Sequence, residues 1–151
     1  MKSVLGTAIA SALCVLPSAA AGVAMKGQSA TLPSPQVVFR GTDTYEANGF
    51  DFVRFQYEVT NKARFAKNLF ATAPDLPACG KETPTRISAA IFDSDGKRIT
   101  EFCALPDQEG LGRLWFAIAK GSPQPKSIYI EITDRATGVT TRSKTLLTSR
   151  P

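Results

Sequence analysis

Asp93-Ser94-Asp95-Gly96 sets two carboxylates and a hydroxyl close together, much as a calcium loop opens. An EF-hand loop needs oxygen donors at its first, third and fifth positions, glycine at the sixth and a bidentate glutamate at the twelfth. Counted from Asp93, the fifth position is Lys97, the sixth Arg98 and the twelfth Ala104. A cation stands where a ligand is required, so no metal site is expected. The same residues suit a type I turn with Gly96 in the left-handed region, joining two strands. In the register such a turn sets, Asp93 lies near Lys97, Ile91 near Ile99 and Ile87 near Cys103.

The chain has no histidine. That removes Ser-His-Asp and Cys-His nucleophile systems and most zinc-hydrolase sites. Paired carboxylates remain, Asp93 with Asp95 and Asp107 with Glu109, but both pairs fall in turn-like stretches open to water. Carboxylate catalysis needs environments that drive two carboxyls apart in pKa. GLGRLW (110–115) contains G-x-G, yet it lacks a third glycine and precedes a strand, so it is no phosphate loop. No catalytic residue, metal or cofactor is assigned, and a non-enzymatic protein is expected.

Compartment follows from the first residues. MKSVLGTAIASALCVLPSAAAGVAM runs from one cation, Lys2, through an apolar stretch to small residues, the order of a secretory signal peptide. Cleavage after Ala19-Ala20-Ala21 is expected, giving a signal at 1–21. Pro17 ends the apolar run short of the ~20 residues that a spanning helix requires, so no membrane span is expected once the signal is removed. Cleavage takes one of the 18 Lys/Arg residues and none of the 13 Asp/Glu residues, leaving a charge of +4. Cys79 and Cys103 are then the only cysteines, and in an oxidising periplasmic or secreted setting they are expected to pair. Closing that loop would contribute about 3 kcal/mol in the chain-entropy account.

A modest positive charge without a dense basic stripe argues against nucleic acid. Two groups of cations could attract an anionic partner: Lys62, Arg64 and Lys67, and the Arg142/Lys144 face. If they converge, the expected partners are acidic glycans, lipid headgroups or an acidic protein; otherwise they are ordinary surface charges. Trp115, in LWFAI with apolar residues on both sides, is expected on a central strand, packed in the core beside the disulfide.

The elements that must position these groups are strands. In VRFQYEVTN (53–61), Val53, Phe55, Tyr57 and Val59 alternate with Arg54, Gln56, Glu58 and Thr60, the period of a half-buried strand. Comparable runs occupy 35–40, 86–93, 98–103, 113–119, 127–134 and 138–147. Gly, Pro, Asp and Asn turns separate them, which predicts a sandwich of two antiparallel sheets. Residues 61–74 offer a helical turn or a loop, and 106–112 a single turn. The organisation expected is a signal at 1–21, a flexible lead-in at 22–34 and one β domain at 35–148.

VRFQYEVTN, the Cys79-Gly80 pair, TRISAAIFDSDGKRITEFCAL, RLWFAIAKG and SIYIEITDRATGV together resemble the immunoglobulin-like or fibronectin-III-like modules of exported bacterial proteins. The resemblance implies an all-β, two-sheet antiparallel immunoglobulin-like sandwich of about seven strands with one disulfide. It implies no catalytic residue. Cys79 and Cys103 are closely spaced and Trp115 follows the second, so the antibody pattern of cysteine, tryptophan and cysteine is absent. The function expected is a non-enzymatic domain that binds a protein or an anionic glycan or other envelope component, using loops or an edge strand. The alternative is a secreted enzyme inhibitor that presents the disulfide-fixed loop LPACGKETPTR (76–86).

Overall fold

The computed structural model describes residues 31–148. They form eight strands, β1 (Val37–Ala47), β2 (Phe50–Val59), β3 (Ile87–Asp93), β4 (Arg98–Phe102), β5 (Leu114–Ala119), β6 (Ser127–Asp134), β7 (Val139–Arg142) and the two-residue β8 (Leu146–Leu147). Short 3-10 turns occupy Lys62–Arg64, Lys67–Phe70 and Gln108–Gly112, within the stretches expected to hold turns. The expected signal segment lies outside the described residues, as does most of the lead-in. Leu32 packs on the core and Ser34 is hydrogen-bonded, so the end of that lead-in belongs to the folded unit. Among the described residues no helix is long and apolar enough to cross a membrane.

The strands make two antiparallel sheets. One has the order β1-β2-β5, and the other β4-β3-β6-β7, with β8 also paired to β6. β2 thus pairs with β5 and β3 with β6, the interleaved connectivity of an immunoglobulin-like sandwich. β4 extends the sheet of β3, β6 and β7. Alternation explains the core. Phe55, Tyr57 and Val59 of β2 and Leu114 and Phe116 of β5 point inward from the first sheet, and all are buried. Ile87, Ala89 and Ile91 of β3 and Ile128, Ile130 and Ile132 of β6 meet them from the second. Phe55 and Phe116, opposite each other in register, stack with ring centroids 4.9 Å apart.

Two turns set register. Asn48 and Gly49 both have positive φ, 53° and 79°, and Ala47 pairs with Phe50 across them. This is the two-residue turn with two left-handed positions whose twist matches that of the flanking strands. Sequence reading missed it, ending the first strand at 40 and starting the second at 53. At the other hairpin, Gly96 has φ +81° and donates to the Asp93 carbonyl at 3.1 Å. The Asp93 carboxylate accepts from the backbone of Asp95 (3.0 Å) and Lys97 (2.8 Å). The acidic pattern therefore serves the turn itself.

Beyond that turn the expected register is corrected. Asp93 does pair with Lys97 through their backbones. Phe92 then stands opposite Arg98 but Ile91 opposite Thr100, so Ile99 is an extra residue in a bulge. Ala89 then stands opposite Phe102, which shifts the ladder by one residue and takes Cys103 out of register with Ile87. Past the end of β4, the Thr85 N–H donates to the Cys103 carbonyl at 2.9 Å. From there Cys103 bonds to Cys79, with 5.6 Å between the two Cα atoms.

The expected last strand, 138–147, is interrupted. The Ser143 hydroxyl accepts the Ile130 N–H at 3.0 Å and donates to the Lys144 carbonyl at 2.8 Å. The Ser143 N–H still donates to the Ile130 carbonyl at 2.9 Å, but its side chain takes the place of the ladder carbonyl, and the chain leaves β6 for residues 144 and 145 before β8.

One buried ion pair ties β6 to the entry of β3. Asp134 is 2 % exposed and receives both Nε (2.8 Å) and a terminal nitrogen (2.6 Å) of Arg86, with the Ala136 N–H at 3.1 Å. The Arg86 guanidinium holds the Asp134 carboxyl at about 2, below the ordinary 3.8. The stabilisation is complete above the ordinary value and disappears as pH falls through the folded one. We expect the wild type to lose about 2 kcal/mol of unfolding free energy across that interval relative to Asp134→Asn, measured by urea titration. Parallel pH profiles for the two proteins would contradict this account. Gly96→Val should destabilise by about 1 kcal/mol or more, because a β-branched residue resists positive φ. Equal unfolding midpoints would refute the left-handed assignment.

Candidate functional site

The two cationic groups that the sequence marks come together in part, at a groove of about 510 Å³. Arg64 stands on one side and Lys144 on another, with Ser34, Gln36, Thr145 and Leu146 completing much of the lining. Among the described residues the lining includes no carboxylate. Among the described residues neither Arg64 nor Lys144 forms an ion pair.

Local chemistry builds this groove. Asn61, at the end of β2, donates from its amide to the Ser34 carbonyl (2.9 Å) and accepts the Gln36 N–H (2.8 Å). Thr60 donates its N–H to the Gln36 carbonyl at 2.7 Å. The Ser34 hydroxyl donates to the Arg142 carbonyl at 2.9 Å, so the wall at 34–36 is fastened to both sheets. The Asn61 carbonyl also accepts the Arg64 N–H at 3.0 Å, opening the 3-10 turn that carries Arg64. Lys144 reaches the groove because Ser143 breaks the last strand just before it.

The other three candidate cations do not join them. Lys62 is engaged by Glu109 (2.9 Å) and Glu58 (3.3 Å), and these carboxylates, Glu109 foremost, raise its pKa above the ordinary lysine value. Arg142 lies on Tyr129, 3.8 Å from the ring centroid, donates to the phenol oxygen at 3.1 Å and approaches Glu131 at 3.7 Å. Lys67 is exposed on its own turn, away from the groove lining.

Trp115 corrects its expectation. It is 40 % exposed, and β5 is an edge strand, paired only with β2. Burial of Leu114 and Phe116 on the inner face forces the residue between them outward. The indole rests edge-on against Phe102 of β4, with ring centroids 6.4 Å apart and planes at 69°. The Arg54 guanidinium lies 5.7 Å from its centroid and 5.6 Å from that of Tyr45. Arg54 is held there by both oxygens of Asp43, whose carboxyl it pushes below the ordinary value. Sequence reading missed this outer face. The signal was the polar half of the alternation, where Arg54 and Gln56 share a side with Trp115.

The Asp93 carboxylate accepts two backbone N–H groups of its own turn. Asp107 accepts the Gly110 N–H at 3.1 Å as a cap, and Glu109 is held by Lys62. Among the described residues no cluster of three or more His, Cys, Asp or Glu side chains could hold a metal ion. Residues 76–86 belong to a loop closed by bridges between Thr72 and Thr85 and between Cys79 and Glu82, with Gly80 at φ +61°. Its tip at 80–83 is exposed, and Arg135 donates to the Pro77 carbonyl at 2.9 Å.

No family model matches the chain, and neither a curated protein nor a solved structure does.

Proposed function

We propose that this chain is an exported, non-enzymatic immunoglobulin-like module that binds an anionic macromolecule, a protein or glycan of the envelope or its surroundings, in the periplasm or outside the cell. The observation carrying this reading is that Arg64 and Lys144, from separate cationic groups of the sequence, face one groove whose lining has no carboxylate among the described residues. Two unopposed cations on the walls of a concavity concentrate positive potential there and favour an anionic segment in it. The hydrogen bonds of Asn61 and Ser34 fix the groove before binding, which lowers the ordering cost. The disulfide agrees with an oxidising compartment.

A second reading, an enzyme inhibitor, has the loop at 76–86 in its favour, since that loop is exposed at its tip and pinned by Cys79–Cys103. One experiment separates the two. Mature, oxidised protein is immobilised and challenged with envelope extract, beside Arg64→Ser/Lys144→Ser and Lys81→Ala/Glu82→Ala variants. The groove reading predicts an anionic component retained by the wild type and the loop variant, released by added salt, and lost from the double-serine variant. Retention unaffected by the double-serine change would refute it. Retention lost only in the loop variant would replace it with the inhibitor reading.

A further inference from the structure

The outer face of the first sheet carries a second concavity, which shares no lining residue with the Arg64–Lys144 groove. It encloses about 300 Å³ among Arg40, Arg54, Gln56, Arg113 and Trp115. Register explains the grouping. Gln56 stands opposite Trp115, and Arg54 stands between Asp43 on one side and Ala117 on the other, all facing away from the core. Three guanidinium groups thus border one hollow with no carboxylate in its lining among the described residues.

Most of these groups are already fixed. Arg40 is held by Glu58, and Arg54 by Asp43 and by the Tyr45 and Trp115 rings. Phe102 braces the indole. Arg113 differs, being exposed and without an ion pair among the described residues. The site therefore offers a braced aromatic surface, two oriented guanidiniums and one uncommitted guanidinium.

We infer that this hollow binds an acidic sugar unit of an oligosaccharide. The C–H face of a pyranose presents partial positive charge to the electron-rich face of Trp115. Arg113 takes the carboxylate or sulfate with its fork of donors, and Arg40 adds positive field beside it. Gln56 supplies amide donors and an acceptor for hydroxyls. Further along β2 the Tyr45 and Phe52 rings stack at 5.5 Å, giving a longer glycan a second aromatic contact. Phe52 is four residues from Gln56, about 14 Å along the strand, a span suited to an oligomer rather than a single sugar. An acidic peptide fits less well. A protein interface of ordinary size buries about 800 Å² per partner around an apolar centre. Among the described residues the only large, exposed apolar side chain bordering the hollow is Trp115, and its surroundings are ion pairs.

Trp115 is the chain's one tryptophan, so its emission reports this site alone. Mature, oxidised protein is titrated with tetragalacturonate, a sulfated tetrasaccharide, neutral maltotetraose and tetraglutamate, by fluorescence and calorimetry. At least one acidic tetrasaccharide should bind with a change in Trp115 emission, and maltotetraose should bind about tenfold or more weakly by comparison. The two acidic probes distinguish carboxylate from sulfate. Arg113→Gln should weaken binding about tenfold or more with an unchanged unfolding midpoint, Trp115→Ala should weaken it as much by calorimetry while the protein remains folded at the titration temperature, and Arg64→Ser/Lys144→Ser should leave it intact. No binding of either acidic sugar at millimolar concentration would overturn the inference. So would equal binding of maltotetraose, an equal emission change with tetraglutamate, or undiminished binding by Arg113→Gln.

Discussion

Leu114 and Phe116 are both buried, so Trp115 must face away from the core. This period-two constraint, imposed on β5 by its pairing with β2, decides most of what the molecule offers to other molecules. Shifting β5 by one residue would expose Leu114, Phe116 and Ile118 and turn Trp115, Ala117 and Ala119 inward. Burying a Leu or Phe side chain contributes about 2 kcal/mol each, and alanines could not fill the space left behind. The stacking of Phe55 on Phe116 adds to the preference. A large aromatic on the water side is the consequence, and Phe102 and Arg54 hold it in one place.

Polar contacts finish what the core begins. The inner faces fix how the sheets meet, while the connections between strands need their own anchors. Asn61 serves one, bonding the backbone of Ser34 and Gln36 with its side chain and accepting the Arg64 N–H with its carbonyl. Ser143 serves another by taking a ladder position with its side chain and sending Lys144 out of the sheet. Asp134 and Arg86 anchor the entry of β3 from the last residue of β6. Cys79–Cys103 ties the long connection before β3 to the end of β4. The same hydrogen bonds that satisfy these backbones bring two distant cations to one groove.

The sandwich was legible because hydrophobic alternation is a local signal. VRFQYEVTN and SIYIEITD carry it plainly, and both are strands with the expected faces inward. The disulfide followed from compartment and cysteine number. The bulge at Ile99 was not legible, because a turn with glycine in the left-handed region leaves open how the ladder resumes beyond it. The hairpin at Asn48-Gly49 could have been read from its dipeptide, but the flanking residues Thr42, Thr44, Tyr45 and Phe52 dilute the apolar pattern. Trp115 was misplaced because LWFAI is apolar at every position, so alternation alone cannot choose its face. The choice comes from register with Gln56 on the neighbouring strand. The meeting of Arg64 and Lys144 depends on side-chain hydrogen bonds across the fold, which no local pattern encodes.

Strand register turns one braced indole and its arginines toward solvent, and acrylamide quenching of Trp115 fluorescence in the native, oxidised protein tests this most directly. Efficient quenching by acrylamide before unfolding, with only a modest further rise in denaturant, is the result predicted. An indole protected from acrylamide until the protein unfolds would place Trp115 in the core and contradict the register on which the outer-face site depends.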